Sequence, residues 1–408
     1  MSNRFVCVFF CIILTFFTIP AISYAASNST LSIISVKVEK ANVYSSARST
    51  SKKVTTLFRG EEFPVLPSSS FYYYKIQSLD GKTGYIKKSQ VQLKKVKRVV
   101  MGWNYFGNTD SYIKQNSVSA NLNVVSPRWY SIVDSETPVA VTPDTRYVNW
   151  AHSNGKQVWP LIGNKFNPAL TDAVLSNPQK RQKVVSMLKD NLVQTGADGI
   201  NIDFENMDMK NKGDFVSFVK ELRDAVKPYG KVVSVDVTRT NPDPNWSGSL
   251  DRRELGKIAD FIILMGYDEH WGGGGKAGST ASIPWIREGI QLLHRDVPSH
   301  KIILGVPFYT KEWVTDLTTN AVSSVGRSMP EVEKIIADRK LTKTWDGAAS
   351  QHYVEFTWNN QKHQIWIEDK VSLKQRCDLV EKYKLRGVAA WYIGQETPDV
   401  WTLFDGYR

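Results

Sequence analysis

Eight apolar, strand-like segments alternate with helical patterns from residue 99 to the end of the chain, and no other feature constrains the fold as strongly. The predicted strands lie at 99–105, 122–130, 157–162, 199–204, 232–237, 261–267, 301–308 and 387–392. One intervening helix is predicted to begin after Asn177, a capping residue that precedes Pro178. Eight such repeats over about 300 residues predict a (β/α)₈ TIM barrel, whose functional groups lie at the C-terminal ends of the strands. The segment 311–365 is too long for one helix and is predicted to be an insertion beside the cleft.

Residues 31–93 consist of short strand patterns separated by turns, which predict a small all-β barrel. Four motifs occur in the order typical of bacterial SH3-like domains, which this segment resembles: Ala41-Asn42-Val43-Tyr44, Leu57-Phe58-Arg59-Gly60, Tyr74-Lys75-Ile76 and Gly84-Tyr85-Ile86. The resemblance implies a cell-wall-binding domain, and a spacer without a ligand is the alternative. The basic segment 94–98 is interpreted as a solvated linker before a barrel domain at 99–408.

The first 25 residues have the pattern of a secretory signal peptide. Arg4 supplies the positive start, the next residues to position 19 are almost wholly apolar, and Ala25 follows small residues suited to cleavage. A retained membrane anchor is the alternative, but the apolar run is shorter than the roughly 20 residues that a bilayer requires. Cleavage would leave Cys377 as the single cysteine, at a position where helical spacing predicts a buried core thiol. Export without an intramolecular disulfide fits a Gram-positive surface, so a secreted, cell-wall or spore-associated protein is expected.

The net charge of +12 points to anionic partners outside the cell. Without residues 1–25 the chain keeps 51 basic and 40 acidic residues, a net charge of +11. Anionic cell-wall polymers are the expected partners. Nucleic acid is not expected, because the basic residues are dispersed, and no membrane contact is expected after cleavage.

The segment from Asp198 to Glu205 carries the candidate chemistry. Alternate residues of a strand face opposite sides, so Asn201, Asp203 and Glu205 are predicted to face the barrel interior, with Glu205 at its mouth. Two ionisable acids in a barrel interior are costly unless they serve a site or bond to partners. An interior salt-bridge network is the alternative interpretation.

This segment resembles the signature of glycoside hydrolase family 18, Asp-x-x-Asp-x-Asp-x-Glu, with Asn201 in place of the middle acid. Three further motifs match the family at predicted strand ends: Met265-Gly266-Tyr267-Asp268, Gly305-Val306-Pro307-Phe308-Tyr309 and Ala390-Trp391-Tyr392. Four motifs in the right order make the resemblance specific.

The resemblance implies a retaining, substrate-assisted cleavage of N-acetylhexosamine polymers, an exception to the two-carboxylate rule for glycosidases. Glu205 would protonate the glycosidic oxygen, Asp203 would orient the substrate's acetamido group, and Tyr267 would donate its hydroxyl to the acetamido oxygen. Trp391 would form the apolar floor under the sugar. The other expected substrate-binding residues are Asn201, Asp268, Trp103 and Tyr309. Trp129, Trp271 and Trp313 are undecided between packing and substrate contact.

The substitution at position 201 leads to a hypothesis about Asp203. Asn201 can donate a hydrogen bond to Asp203 but cannot accept its proton. Asp203 is therefore expected to stay ionised and to point toward Glu205 for more of the catalytic cycle. Under this hypothesis Asn201→Asp would shift the pH–rate profile.

Two other segments resemble a phosphate-binding loop and a metal-ligand cluster, respectively, but neither has the required arrangement. The run Gly272–Lys276 does not meet the spacing of a phosphate-binding loop and is interpreted as a mobile loop over the cleft. The adjacent side chains of Asp268, Glu269 and His270 point in different directions, so no metal and no cofactor are expected.

The sequence leaves the substrate open between two polymers. Export, positive charge and the SH3-like segment favour peptidoglycan, and Pro307 to Trp313 resembles the family's spore-associated branch, which acts on N-acetylglucosamine linkages. The alternatives are a chitinase and a non-catalytic glycan-binding lectin of the same fold.

Overall fold

The computed structural model describes residues 30–78, 82–119, 121–133 and 139–407. The predicted signal peptide at 1–25 lies outside the described residues. Within these ranges no helix combines the length and apolarity that crossing a bilayer requires.

The N-terminal part forms a seven-stranded antiparallel sheet in the order β3-β2-β6-β5-β4-β1-β7. Its strands are β1 (Thr30–Val36), β2 (Lys40–Tyr44), β3 (Lys53–Phe58), β4 (Glu62–Leu66), β5 (Tyr73–Gln77), β6 (Thr83–Lys87) and β7 (Val91–Lys97), with a 3₁₀ turn at Lys88–Gln90. The strands enclose their own apolar core, which includes Ile34, Val43, Phe63 and Ile86. The predicted small all-β domain is confirmed.

The basic segment 94–98 is part of the fold rather than a linker, although Lys94, Lys95 and Lys97 are exposed as expected. Lys94 to Lys97 lie in β7 and pair with β1, with Thr30 opposite Lys97. Arg98 is buried, and its guanidinium donates to the backbone oxygen of Leu385 (2.6 Å) and to Glu381 Oε2 (2.9 Å). The interpretation as a linker was wrong because the sequence of this segment alone does not reveal that strand β1 offers it a pairing edge.

Eight parallel strands form a closed barrel, which confirms the predicted fold class. Its strands in spatial order are β8 (Val99–Asn104), β9 (Val124–Ile132), β12 (Leu161–Gly163), β13 (Gly199–Asp203), β14 (Val232–Thr238), β15 (Phe261–Met265), β16 (Ile302–Pro307) and β22 (Gly387–Trp391), and β22 pairs with β8 to close the ring. Two short strands, β10 (Val139–Val141) and β11 (Gln157–Val158), pair with β9. The predicted strand 157–162 is divided at Pro160, which has no N–H to donate to a sheet.

Seven of the nine helices described surround the barrel: α1 (Thr109–Ser117), α2 (Thr145–Ser153), α3 (Pro168–Leu175), α4 (Pro178–Thr195), α5 (Lys212–Val226), α6 (Arg252–Ile258) and α7 (Ile283–Leu293). The eighth, α8 (Met329–Asp338), belongs to the insertion, and α9 (Lys370–Tyr383) completes the outer layer. Short 3₁₀ segments occur at Met209–Asn211, Lys227–Tyr229, Ser299–Lys301 and Pro398–Tyr407, and a π-helical turn at Pro244–Gly248. Asn177 caps α4 as predicted, accepting from the backbone N–H groups of Gln179 and Lys180.

The insertion is a five-stranded antiparallel sheet in the order β18-β17-β21-β20-β19. Its strands are β17 (Tyr309–Asp316), β18 (Val322–Ser328), β19 (Thr344–Asp346), β20 (Gln351–Trp358) and β21 (Gln361–Ile367). Helix α8 covers one face through a core that includes Val332, Val354 and Ile365. Strand β17 begins two residues after barrel strand β16 ends, so the insertion stands beside the mouth of the barrel.

Alternation along the barrel strands separates two cores. Outward residues such as Ile200, Ile202 and Val235 pack under the helices. Inward apolar residues such as Met101, Leu161 and Ile303 fill the barrel toward the N-terminal ends of its strands. Polar inward residues are left for the C-terminal ends, which is where the candidate site lies.

Candidate active site

Strand β13 delivers the two candidate acids to the mouth of the barrel, as its alternation predicts. Ile200 and Ile202 face the helices, and Phe204 stacks against Phe215 and Phe218 of α5. The inward side chains between them belong to Asn201, Asp203 and, one step beyond the strand, Glu205.

Asn201 lies below the site and is fully buried. Its Oδ1 accepts from Trp103 Nε1 (2.7 Å), and its Nδ2 donates to Asp236 Oδ1 (2.8 Å) and Ser234 Oγ (3.1 Å). The expected hydrogen bond from Asn201 to Asp203 does not form among the described contacts. Side chains two residues apart on one strand are separated by about 6.6 Å, whereas side chains on adjacent strands lie about 4.8 Å apart. The Asn201 amide therefore bonds to partners on the neighbouring strands.

Asn201 and Trp103 were also expected to contact substrate, and the structure contradicts this. Trp103 is 1% exposed and Asn201 is 0% exposed. Both face inward in the layer beneath the acids, where barrel interiors are filled by packed side chains rather than by ligand. Trp103 instead supports the site from below, with its ring centroid 5.4 Å from that of Trp391.

Asp236 is a buried acid that the motifs did not reveal. It lies on β14 between Val235 and Val237, is 2% exposed, and faces inward toward Asn201. A signal was present, because an acid at an inward position of an otherwise apolar alternating strand carries the same cost as Asp203. The family signature covers one strand only and therefore misses it.

Asn164 fixes the backbone of Glu205 and was also missed. It is 1% exposed and follows β12, the strand beside β13. Its Oδ1 accepts from the Glu205 backbone N–H (3.1 Å), and its Nδ2 donates to the Glu205 backbone oxygen (2.7 Å) and to Thr171 Oγ1 (3.0 Å). One amide side chain thus satisfies both backbone groups of Glu205 and sets where its carboxyl emerges.

The two acids share an environment that favours their protonated forms. Burial raises the pKa of Asp203 to about 7. Burial also raises the pKa of Glu205 well above its usual range, and the nearby carboxylates of Asp203 and Asp268 add to the effect. Removing a carboxylate from water and placing like charges beside it both penalise ionisation. Both effects therefore favour the protonated form of Glu205.

Tyr267 and Trp391 form the aromatic wall beside the acids. The two rings are stacked, with centroids 6.3 Å apart and planes at 23°. Burial raises the pKa of the Tyr267 hydroxyl, and the carboxyls of Asp236 and Asp203 add to this shift. The hydroxyl therefore remains a proton-bearing donor at any physiological pH.

Asp268 is held by two partners at the start of the insertion. Its Oδ1 accepts from the Tyr309 hydroxyl (2.6 Å) and from Lys311 Nζ (2.8 Å). Its backbone has φ of +62°, a left-handed conformation that non-glycine residues rarely adopt. Tyr309, expected to bind substrate, uses its hydroxyl to orient Asp268.

A cavity of about 890 Å³ brings together five of the predicted residues: Asp203, Glu205, Tyr267, Asp268 and Trp391. Phe166, Trp246, Trp271 and Trp285 add aromatic surface to it. A second cavity of about 480 Å³, lined in part by Arg128 and Trp129, adjoins the first at Phe166 and Asp203. The two together form a cleft that passes over Asp203. Trp313 is fully buried and donates to the Gly278 backbone oxygen, so it packs and does not line the cleft.

Glu269 and His270, which follow Asp268, form hydrogen bonds that hold the loop at 279–282. Glu269 accepts from the backbone N–H (2.7 Å) and hydroxyl (3.0 Å) of Ser282, and His270 Nδ1 contacts the Ser279 backbone oxygen at 2.9 Å. In the described ranges no group of three or more His, Cys, Asp or Glu residues is arranged to hold a metal.

Comparisons with known proteins place this geometry among carbohydrate-cleaving enzymes. The model of glycosyl hydrolases family 18 matches residues 69–396, and that of the bacterial SH3 domain matches residues 39–92. The uncharacterized glycosylase YvbX of Bacillus subtilis is 25% identical over 307 residues, which cover 72% of this chain and 87% of that protein. The cortical fragment-lytic enzyme of Bacillus subtilis is 26% identical over 271 residues, covering 64% of this chain and 62% of that enzyme. The crystal structure of the Bacillus cereus spore cortex-lytic enzyme SleL has the same fold, with a TM-score of 0.70 at 19% identity over 80% of this chain and 77% of that one.

Proposed function

The chain belongs to glycosyl hydrolases family 18 and carries a bacterial SH3 domain, and from this premise we propose that it cleaves N-acetylglucosamine linkages of peptidoglycan. The proposed reaction is a substrate-assisted hydrolysis that retains configuration at the anomeric carbon. Its target would be spore cortex or cell wall.

The observation that carries this proposal is the meeting of two proton-favouring carboxyls with an aromatic wall in one large cavity. Asp203 and Glu205 both line the 890 Å³ cavity, and Tyr267 and Trp391 line the same cavity. Such a cavity is large enough for more than one sugar ring. An interior salt-bridge network is not supported, because neither acid forms a salt bridge within the described part of the chain.

Glu205 is suited to act as the general acid. Its raised pKa favours the protonated form of the carboxyl, which is the form that can donate a proton to a leaving oxygen. Asn164 holds its backbone, so the proton would be delivered from a fixed position. Protonation lets the glycosidic C–O bond break toward the leaving sugar.

The nucleophile in this reaction is the substrate's own 2-acetamido oxygen. It would attack the anomeric carbon and form an oxazolinium ion, with Asp203 accepting from the acetamido N–H and stabilising the positive charge. Tyr267 would donate its hydroxyl to the acetamido oxygen, and Trp391 would support the apolar face of the ring. Positioning of these groups before the reaction lowers the cost of reaching the transition state.

Glu205 would then act as a base in the second step. Having lost its proton, it would accept one from a water molecule that opens the oxazolinium ion on the side from which the leaving group departed. The acid is thereby restored to its protonated form, and two inversions give net retention.

Peptidoglycan is favoured over chitin by three independent features. Two relatives carry cortex- or cortical fragment-lytic names, and the SH3 domain offers a second contact with the wall. A groove of about 320 Å³ beside that domain is lined by Tyr73, Tyr74, Lys75 and Lys88, among others. Net positive charge favours binding to anionic wall polymers. A signal peptide at 1–25 would place the protein in that compartment.

The identity of the new reducing end tests the proposal. The protein is incubated with purified cortex and wall peptidoglycan and with colloidal chitin. The new reducing ends are then reduced with borohydride, and the products are hydrolysed in acid to single sugars. We expect glucosaminitol, and no new muramicitol, from peptidoglycan, with a lower yield from chitin. Preferential release from chitin would support the chitinase alternative.

Glu205→Gln separates an enzyme from a lectin. This variant should lose hydrolysis about 10³-fold and retain binding to wall fragments, because the amide keeps the shape but has no acidic proton. Glu333→Gln, on an exposed glutamate of α8, is the matched control and should keep full activity. Wild-type protein that binds but hydrolyses no acetamido glycan would contradict the enzymatic proposal.

A further inference from the structure

Asp236 lies beside Asp203 in the barrel wall. Strands β13 and β14 pair in parallel with Asn201 opposite Ser234 and Ile202 opposite Val235. The next pair in this register is Asp203 and Asp236, and the alternation turns both side chains inward. Neighbours on paired strands are about 4.8 Å apart at the backbone, so the two carboxyls are lateral neighbours on one surface.

The amide of Asn201 fixes one oxygen of Asp236. Trp103 Nε1 is a donor only, so its 2.7 Å bond to Asn201 requires the amide oxygen on that side. Nδ2 must then point the other way, where it donates to Asp236 Oδ1 at 2.8 Å. Asp236 Oδ1 is thus occupied, and its second oxygen is the one free to face Asp203.

Asp203 has a buried oxygen that requires a donor. Its Oδ1 is enclosed and has no hydrogen-bond partner among the groups that the structure describes. A buried carboxylate oxygen without a donor costs free energy comparable to a lost charged hydrogen bond. The carboxyl beside it can supply that donor only if it carries a proton.

We propose that Asp236 is a positioning residue for Asp203, and that the two carboxyls share one proton across strands β13 and β14. The proton moves only between oxygens of Asp203 and Asp236, so the pair carries one negative charge before and after, and no outside donor is needed. The inference rests on the proposed role of Glu205 as the acid.

The groups that face Asp236 support the sharing of one proton between Asp236 and Asp203. Asp203 and Glu205 face it from β13, and the Tyr267 hydroxyl faces it from the end of β15. Asn201 and Ser234 are its neutral neighbours, and no salt bridge reaches it within the described ranges. Burial raises the pKa of Asp236 well above its usual range, and the Asp203 carboxylate adds to this shift. One protonated carboxyl beside one ionised carboxyl avoids placing two negative charges side by side in a buried site.

Carbon-13 NMR of aspartate carboxyls tests the pairing without substrate. In Glu205→Gln protein, which lacks the other acid that interacts with Asp203, we expect the Asp203 carbon, assigned by its loss in Asp203→Asn, to titrate in two coupled steps. When Asp236→Asn is added, the Asp203 carbon should titrate in one step. A single-step Asp203 curve in Glu205→Gln protein would overturn the proposal, and this measurement holds even if no hydrolysis is observed.

The pH–rate profile provides the catalytic test. A carboxylic O–H is a stronger donor to a carboxylate than an amide N–H, so Asp236→Asn should raise the pKa of Asp203 and move the acidic limb up by about one pH unit, a tenfold rate loss below the optimum. Ser234→Ala removes the second acceptor of Asn201 Nδ2 but no titratable group, and the pH–rate profile of this variant should match that of wild type.

If Asp236→Asn only lowers thermal stability and its profile overlays that of wild type, Asp236 is structural and the proposal fails. If Asp236→Asn does not fold, the NMR titration of Glu205→Gln protein alone decides.

Discussion

Replacing Asn164 with alanine should disable the site without touching an acid. The side chain forms four hydrogen bonds at 2.7–3.3 Å, two of them to the backbone of Glu205. Losing buried partners of this kind costs about 1–3 kcal/mol for each group left unsatisfied, so a total of about 3 kcal/mol is expected. With an unfolding entropy of about 2.1 cal/mol/K per residue over the roughly 300 residues of the barrel, that is a decrease of about 5 °C in Tm.

The catalytic effect of Asn164→Ala should exceed what its stability loss explains. A displacement of the acid by about 1 Å lowers kcat by about 10²-fold. Because the charges around Glu205 are unchanged, the pH–rate profile should keep its shape. Initial rates on borohydride-labelled wall fragments, measured well below the Tm, provide the assay.

Asn177→Ala is the matched control for this experiment. Asn177 caps α4 with two hydrogen bonds and lies away from the cleft. Its loss should cost about 1 kcal/mol of stability and leave kcat unchanged. If Asn164→Ala retains kcat within twofold of wild type at a temperature where it is folded, then Asn164 does not position Glu205 and the reasoning is refuted.

Three further outcomes are expected. Asp203→Asn should abolish hydrolysis yet raise Tm at pH 8. The folded-state pKa of Asp203 is about 7, so its ionisation lowers the stability of the wild-type protein by on the order of 2–4 kcal/mol as pH rises from about 4 to 7. Equal Tm values for the variant and the wild type at pH 8 would contradict this. Asp198→Ala removes the acceptor of a β11 backbone N–H and of a histidine in α2, so urea unfolding should show a loss of about 1–2 kcal/mol with unchanged kcat. Lys311→Met removes the cation bound to Asp268, which should raise the pKa of Glu205 further and move the basic limb of the pH–rate profile upward; a downward shift would refute the assigned electrostatics.

Much of the fold was accessible from the sequence because its signals are local. Alternation and capping predicted the eight strands and the start of α4 at Pro178, and the family motifs lay at strand ends as expected. The errors share one cause. The segment 94–98 pairs with β1, and Asn201 bonds across to β14 rather than along its own strand. Both contacts join residues distant in sequence.

The depth of each side chain in the barrel also required the tertiary structure. Asn201, Asp203 and Glu205 have the same alternation phase, yet Asn201 is enclosed while the two acids line the cavity. Alternation along a strand predicts which face of the sheet a residue occupies. The level along the barrel axis at which the packed interior gives way to the cavity depends on the side chains of the seven other strands.

The sequence by itself determined the family, the two-part architecture and the pair of acids at the mouth of the barrel, since these follow from patterns within single strands. Only the tertiary structure decided that Asn164 holds the acid, that Lys311 neutralises Asp268, and that Asp236 stands beside Asp203. Each of these contacts joins residues on different strands or on the loops that follow them, whose separation is set by the fold of the barrel rather than by spacing along the chain.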